Sequence, residues 1–128
     1  WTAMTTAKTM CSSVTSFTEN FDSYTAGSTV HPTCWAKVGT GGTSYVYNNT
    51  SNPSSVPNCL CFSSSSPTAQ AVEQLMPVSN LGAGTHRLRF KMRGSSTITG
   101  TVVELGYLIN PLNPSTFVSL GNVTNTLT

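Results

Sequence analysis

The stretch His86-Arg87-Leu88-Arg89-Phe90-Lys91-Met92-Arg93 has the clearest pattern in this chain of 128 residues. Apolar and basic residues alternate through it, and a side-chain period of two indicates a β-strand with one buried and one solvent-facing side. We predict that its apolar members point into the core: Leu88, Phe90 and Met92. The outward row, here called the basic row, consists of four of the six Lys and Arg residues: Arg87, Arg89, Lys91 and Arg93.

The composition around this stretch is typical of an all-β extracellular protein. Charged residues make up only 8% of the chain, against about 25% in an average soluble domain. Ser and Thr supply the polar surface instead, and both are poor helix formers. The net charge of +2 is too small to predict nucleic-acid binding. No apolar run approaches the about 20 residues of a membrane span, so none is predicted.

Short strand patterns recur along the whole chain, separated by turn signals about every 8–12 residues. We predict eight strands, at residues 14–21, 32–38, 44–47, 58–63, 69–78, 86–93, 97–109 and 116–120. This pattern favours a two-sheet antiparallel β-sandwich, most simply a jelly roll. We expect residues 1–16 to be an N-terminal arm or linker and residues 17–128 to form the jelly-roll domain. Because the chain starts at Trp1 without Met, we interpret it as a processed product, which favours secretion.

The even number of cysteines predicts disulfides formed in an oxidising compartment: Cys11, Cys34, Cys59 and Cys61. Cys59 and Cys61 share one face of a predicted strand, about 6–7 Å apart, which disfavours a bond between them. Each is therefore expected to pair with Cys11 or Cys34. Buried thiols are an alternative. A zinc site is another, although His31 and His86 lack the spacing of a zinc finger.

Three stretches resemble MAM-like jelly-roll domains, which occur in secreted and cell-surface multidomain proteins of gliding and polymer-degrading bacteria. Phe17-Thr18-Glu19-Asn20-Phe21-Asp22, followed by Pro32-Thr33-Cys34-Trp35, resembles the opening of these domains. The stretch from His86 to Arg93 resembles their central strand. Leu105-Gly106-Tyr107-Leu108-Ile109-Asn110-Pro111-Leu112-Asn113-Pro114-Ser115-Thr116-Phe117-Val118-Ser119-Leu120 resembles their strand–loop–strand.

The resemblance implies a concanavalin-like two-sheet sandwich without catalytic machinery, which binds glycans, binds proteins or acts as a spacer. Members of the family usually continue for two more strands after the position of Leu120, so the domain is expected to be incomplete at its C-terminus. An open sheet edge accepts strand addition from another chain. The polar arm of residues 1–16 is the alternative occupant of that edge.

Two sets of side chains are candidates for ligand binding. Tyr45 and Tyr47 share one face of a predicted strand and Trp35 lies on a neighbouring segment, a set of rings that would suit a polysaccharide. The alternative is that these aromatic residues belong to the core. The basic row, with a spacing of roughly 6.6–7 Å, would suit an anionic polysaccharide. Its alternative is a solubilising face paired across strands with Glu73 and Glu104.

The acidic opening predicts a structural Ca²⁺ site, because Glu19, Asn20 and Asp22 place oxygen ligands within four residues. The alternative is that Asp22 caps a turn and Glu19 is solvated. Catalysis is not predicted, since the four acids of the chain show no sign of the facing pair that a glycosidase needs. A Gly-x-Ser-x-Gly nucleophile elbow is also absent from the sequence.

The sequence therefore predicts a non-catalytic module of a larger secreted or cell-surface protein, carbohydrate-binding or adhesive, with a polysaccharide or cell-surface glycan as partner. The first alternative is a structural or self-associating unit whose sheet another chain completes. A glycoside hydrolase fragment is the second.

Overall fold

The computed structural model describes residues 11–39, 41–50, 54–66, 68–94 and 100–125. Regular structure in these ranges is almost entirely β, which confirms the all-β prediction. The strands are β1 Ala36–Val38, β2 Thr43–Asn48, β3 Asn58–Ser63, β4 Val72–Gln74, β5 Val102–Leu108 and β6 Phe117–Thr124. Single 3₁₀ turns lie at Leu81–Ala83 and Pro114–Thr116. Within the described ranges, neither these turns nor any other helix has the length and apolar character to cross a membrane.

The strands form three antiparallel pairs, each a two-stranded sheet: β1 with β4, β2 with β3, and β5 with β6. The chain divides into two compact units, residues 1–86 and 87–128. The first two pairs belong to the first unit and the third pair to the second. A sandwich needs two sheets packed face to face, so the jelly roll stays a prediction. Most of the predicted arm, residues 1–10, lies outside the described residues.

The core of the first unit is centred on β2. Its sequence alternates, and Val46 in its middle is 0% exposed. One edge of β2 is fully paired with β3, while the other edge meets the turn at residues 27–30. There the Val46 N–H donates to the Val30 carbonyl at 2.8 Å and the Gly27 N–H donates to the Val46 carbonyl at 3.0 Å. Both backbone groups of this buried residue are therefore satisfied, as burial requires.

The first predicted strand, residues 14–21, is wrong. Val14 forms a single parallel bridge with Val78, and the strand does not continue beyond it. The reason is local chemistry, because Glu19 and Asn20 hydrogen-bond to backbone groups two residues further on. Such bonds compete with a strand ladder. Phe21 adopts a left-handed conformation, with φ of 67°, which also interrupts extended backbone.

The predicted strand at residues 86–93 is also wrong. The segment makes no ladder with any strand in the described part of the chain. Leu88 is 51% exposed and Phe90 is 43% exposed, so these two do not point into a core as predicted, while Met92 is half-buried. Alternation of apolar and polar residues predicts which side of a strand is buried. A strand also needs a neighbouring strand that pairs with its backbone N–H and C=O groups.

The cysteine pairing differs from the prediction. Cys11 and Cys34 form a disulfide, with their Cα atoms 5.7 Å apart, whereas Cys59 and Cys61 both retain thiols. The reason is that Cys11 and Cys34 lie close enough to pair with each other, while each thiol on β3 faces a tyrosine across the hairpin. The expected absence of a bond between Cys59 and Cys61 agrees with the structure.

The second unit is built on the β5–β6 hairpin. A β-bulge interrupts its register between Leu105 and Gly106. A side chain at Gly106 would collide with the Phe117 ring and with the Val118 carbonyl, so this position requires glycine. The intervening loop is closed by Thr116, whose hydroxyl donates to the Asn113 carbonyl at 2.7 Å.

Candidate functional site

The β2–β3 hairpin carries two tyrosines and two cysteines on one face, here called the tyrosine–thiol face. Tyr45 lies opposite Cys61, and Tyr47 lies opposite Cys59. Since side chains alternate along a strand, the same register turns Val46 to the other face, where it is completely buried. The burial of one valine therefore fixes the direction of four chemically active side chains.

The two tyrosine rings contact each other edge to face. Their centroids are 6.1 Å apart and their planes meet at 84°, a favourable arrangement for aromatic pairs. Tyr47 is 46% exposed, while Tyr45 is half-buried. The pair is thus a partly open aromatic surface on the face of β2 opposite Val46.

Tyr45 is electrostatically linked to the neighbouring thiol. The pKa of Tyr45 lies above its ordinary value, chiefly because negative charge on Cys61 disfavours a second negative charge beside it. Partial burial and a hydrogen bond between the Tyr45 and Cys61 side chains act in the same direction, and Tyr47 and Cys59 add smaller effects. This agrees with the register, which places Tyr45 directly opposite Cys61.

Trp35 belongs to a different aromatic cluster. Its ring centroid is 5.8 Å from that of Phe17 and 5.8 Å from that of Phe21, both in edge-to-face contacts. Its indole Nε1 is enclosed and has no hydrogen-bond acceptor among the described residues. Trp35 is part of this packed cluster, next to the disulfide at Cys34.

The basic row is exposed along its whole length, at Arg87, Arg89, Lys91 and Arg93. It lies in the second unit, whereas the tyrosine–thiol face lies in the first. Glu104 of β5 is exposed as well. Glu73, the other acid considered as a partner for the row, has partners of its own in the first unit.

Glu73 is the centre of a buried polar network that sequence reasoning missed. Its side chain is only 1% exposed, and both carboxylate oxygens lie 3.1 Å from His31 Nδ1. The Ser44 hydroxyl, also buried, donates to Glu73 Oε2 at 2.5 Å. No local pattern in the sequence signals this network, because His31 lies 42 residues before Glu73.

This network does not have the geometry of a serine hydrolase. In such enzymes the imidazole stands between the hydroxyl and the carboxylate and takes the proton of the serine. Here the carboxylate stands between Ser44 and His31. The arrangement instead ties β4 to β2 and to the segment that precedes β1.

The loop at residues 19–24 uses its acidic side chains to close a turn. Glu19 accepts from the Phe21 N–H at 2.6 Å and from the Tyr24 hydroxyl at 3.1 Å. Asn20 Nδ2 donates to Asp22 Oδ2 at 2.9 Å. In the described part of the chain, no group of three or more His, Cys, Asp or Glu side chains is arranged to hold a metal ion. The calcium site stays a prediction.

Comparison of the chain with protein-family models, with curated proteins and with solved structures finds no match.

Proposed function

We propose that this chain is a non-catalytic, extracellular carbohydrate-binding or adhesive module, and that Tyr45 and Tyr47 form the surface on which a sugar ring stacks. The observation that carries the proposal is the partial exposure of this aromatic pair above a fully buried Val46. Aromatic rings that serve only the core would point to the same side as Val46. These point to the opposite side and remain accessible.

The chemistry of the surface suits a sugar. The apolar face of a pyranose ring packs against an aromatic ring, while a phenol hydroxyl donates to or accepts from the sugar hydroxyls. Edge-to-face contact fixes both rings, so little conformational entropy is lost on binding. The Cys11–Cys34 disulfide supports an oxidising, extracellular compartment. The basic row would add affinity only for an anionic glycan.

The test is affinity electrophoresis of the whole chain in gels that contain neutral or anionic polysaccharides. We expect retardation by at least one polysaccharide, and loss of retardation with Tyr47→Ala. The matched control is Tyr107→Ala, because Tyr107 is comparably exposed but lies on β5. Retardation that survives Tyr47→Ala but disappears in salt would assign binding to the basic row instead. Absence of retardation by every polysaccharide would refute the proposal.

A second candidate function, structural self-association, is favoured by the surface of the second unit. Large apolar side chains are exposed there, at Leu88, Phe90, Val102, Tyr107, Ile109, Leu112, Phe117, Leu120 and Val123. An isolated two-stranded hairpin is marginally stable in water, and open strand edges accept further strands. A strand from another chain would extend this hairpin toward the jelly-roll sandwich that the MAM-like resemblance implies.

Sedimentation velocity over a range of protein concentrations distinguishes the two candidates. The structural candidate predicts oligomers that weaken when Leu120, the extra residue of the bulge, is replaced by Glu. Asn122→Glu on the same strand is the control, since this residue is exposed but polar. A monomer at every concentration would exclude self-association and leave the glycan proposal unaffected.

A further inference from the structure

The two thiols of the tyrosine–thiol face have no role in sugar stacking, although they lie on the same surface. Cys59 and Cys61 are separated by one residue on β3, and both are half-buried. Neither forms a disulfide in a chain that does contain one. Two thiols that share a strand face, close to an aromatic hydroxyl, are suited to hold one ligand between them.

We propose that Cys59 and Cys61 form a binding site for a soft metal ion that accepts two ligands, with Cu(I) as the ion of this class. Thiolate sulfur is a soft ligand that favours Cu(I), zinc and iron–sulfur clusters, and iron–sulfur clusters take four cysteines. A structural zinc site instead requires four ligands in a tetrahedron. The face supplies two sulfurs, which suits linear coordination.

The spacing of the two residues permits a single bridging ion. Same-face neighbours on a strand are about 6.6–7 Å apart at their Cα atoms. A metal–sulfur bond of about 2.3 Å places the two sulfurs of a linear site about 4.6 Å apart. Staggered rotamers that lean the side chains toward each other cover this difference, and the paired β2 strand holds the backbone of β3 in place.

The neighbouring tyrosine adds a second favourable element. The register places Tyr45 directly opposite Cys61 across the β2–β3 pair, with both side chains on one face. A phenol that donates to a metal-bound thiolate stabilises its negative charge and orients it. Binding releases one proton from each thiol as two sulfur–metal bonds form, and no electrons are transferred.

The experiment is a competition between the folded protein and a chromophoric Cu(I) chelator, under anaerobic conditions. Ascorbate keeps the copper reduced, and thiol reductants are left out because they would open the Cys11–Cys34 disulfide. We expect the wild-type chain to withdraw one equivalent of Cu(I) and to gain a thiolate-to-copper absorption in the ultraviolet. Cys59→Ser and Cys61→Ser should each abolish both signals.

Two controls keep the outcome independent of folding and of glycan binding. Alkylation of the thiols in the folded wild-type chain, which leaves the Cys11–Cys34 disulfide closed, should abolish copper uptake. Tyr47→Ala, which is expected to remove sugar binding, should leave the copper stoichiometry unchanged. Wild-type protein that fails to compete for Cu(I), or equal uptake by either serine variant, would overturn the proposal.

Discussion

Asn58 Nδ2 donates a hydrogen bond to the backbone carbonyl of Tyr24 at 2.7 Å. The same nitrogen donates to the Phe21 carbonyl at 3.1 Å, and the Asn58 backbone N–H donates to Asp22 at 3.4 Å. Asn58 is the first residue of β3 and is buried. One asparagine thus fastens the acidic loop at residues 19–24 to the hairpin that carries the tyrosine–thiol face.

Replacing Asn58 by Ala should lower the free energy of unfolding by about 2 kcal/mol. The part-buried Tyr24 carbonyl loses the Asn58 donor, and the Phe21 carbonyl keeps only its bond from the Tyr24 N–H at 3.3 Å. An unsatisfied buried group costs about 1–3 kcal/mol. Urea unfolding followed by tryptophan fluorescence measures the change. Asn122→Ala, on an exposed position of β6, should stay within about 0.5 kcal/mol of the wild type. Equal stability of the two variants would show that Asn58 does not hold the loop.

Glu73→Gln should be destabilising by about 1–3 kcal/mol, because it weakens the contacts of a buried carboxylate with His31 and Ser44. Glu104→Gln removes the same charge from an exposed position of β5 and is the matched control, with an expected effect below about 0.5 kcal/mol. Both values come from chemical denaturation at one pH. A larger effect at Glu104 than at Glu73 would contradict the network.

Alkaline titration should show that Tyr45 ionises above the ordinary tyrosine pKa of about 10. Absorbance of the ionised phenol, taken as the difference from a Tyr45→Phe chain, isolates this residue. Cys61→Ser should lower the pKa of Tyr45 toward its ordinary value. Cys59→Ser should lower the pKa of Tyr45 less, because Cys59 raises it less than Cys61 does. The reverse order would contradict the described register.

The raised pKa of Tyr45 also predicts how the stability of the fold changes with pH. A pKa that is higher in the folded than in the unfolded state means that the folded state binds the proton more tightly. The contribution of Tyr45 to stability is therefore complete below pH about 10 and is lost as the pH rises through the folded-state pKa. Tyr45→Phe should flatten this alkaline loss, as unfolding measured on both sides of that pH would show.

Gly106→Ala should destabilise the β5–β6 hairpin by about 1–3 kcal/mol, the usual cost of overpacking. The new methyl group would collide with the Phe117 ring and the Val118 carbonyl. Gly82→Ala is the control, since a side chain there meets open space. Hydrogen exchange of the β5 and β6 amides should accelerate in the first variant alone. Unchanged exchange would mean that Phe117 does not cover Gly106.

Local patterns predicted those elements whose partner is close along the chain. The prediction for residues 58–63 matches β3, and that for 44–47 falls one residue short of β2 at each end. A short Asn-, Ser- and Pro-rich loop joins these strands. Two segments that alternation predicts as strands can therefore pair directly with each other. At residues 86–93 the alternation is stronger, yet it has no ladder to join in the described ranges.

The candidate site was predictable to the same extent. Alternation alone put Tyr45 and Tyr47 on the face opposite Val46. It could not find the network of Glu73, because a charged residue in a strand is usually exposed and its partner His31 is 42 residues away. Cysteine pairing was beyond reach for a similar reason, since it depends on which distant segments meet.

The disulfide between Cys11 and Cys34 has a consequence for limited proteolysis. It closes a covalent ring that contains the acidic loop and Phe17. A single cut inside this ring adds one water but leaves the two pieces joined, so the mass of the intact chain rises by that amount and no fragment separates. The two pieces separate only after the disulfide is reduced. A comparison of digests with and without reductant therefore detects the Cys11–Cys34 ring directly.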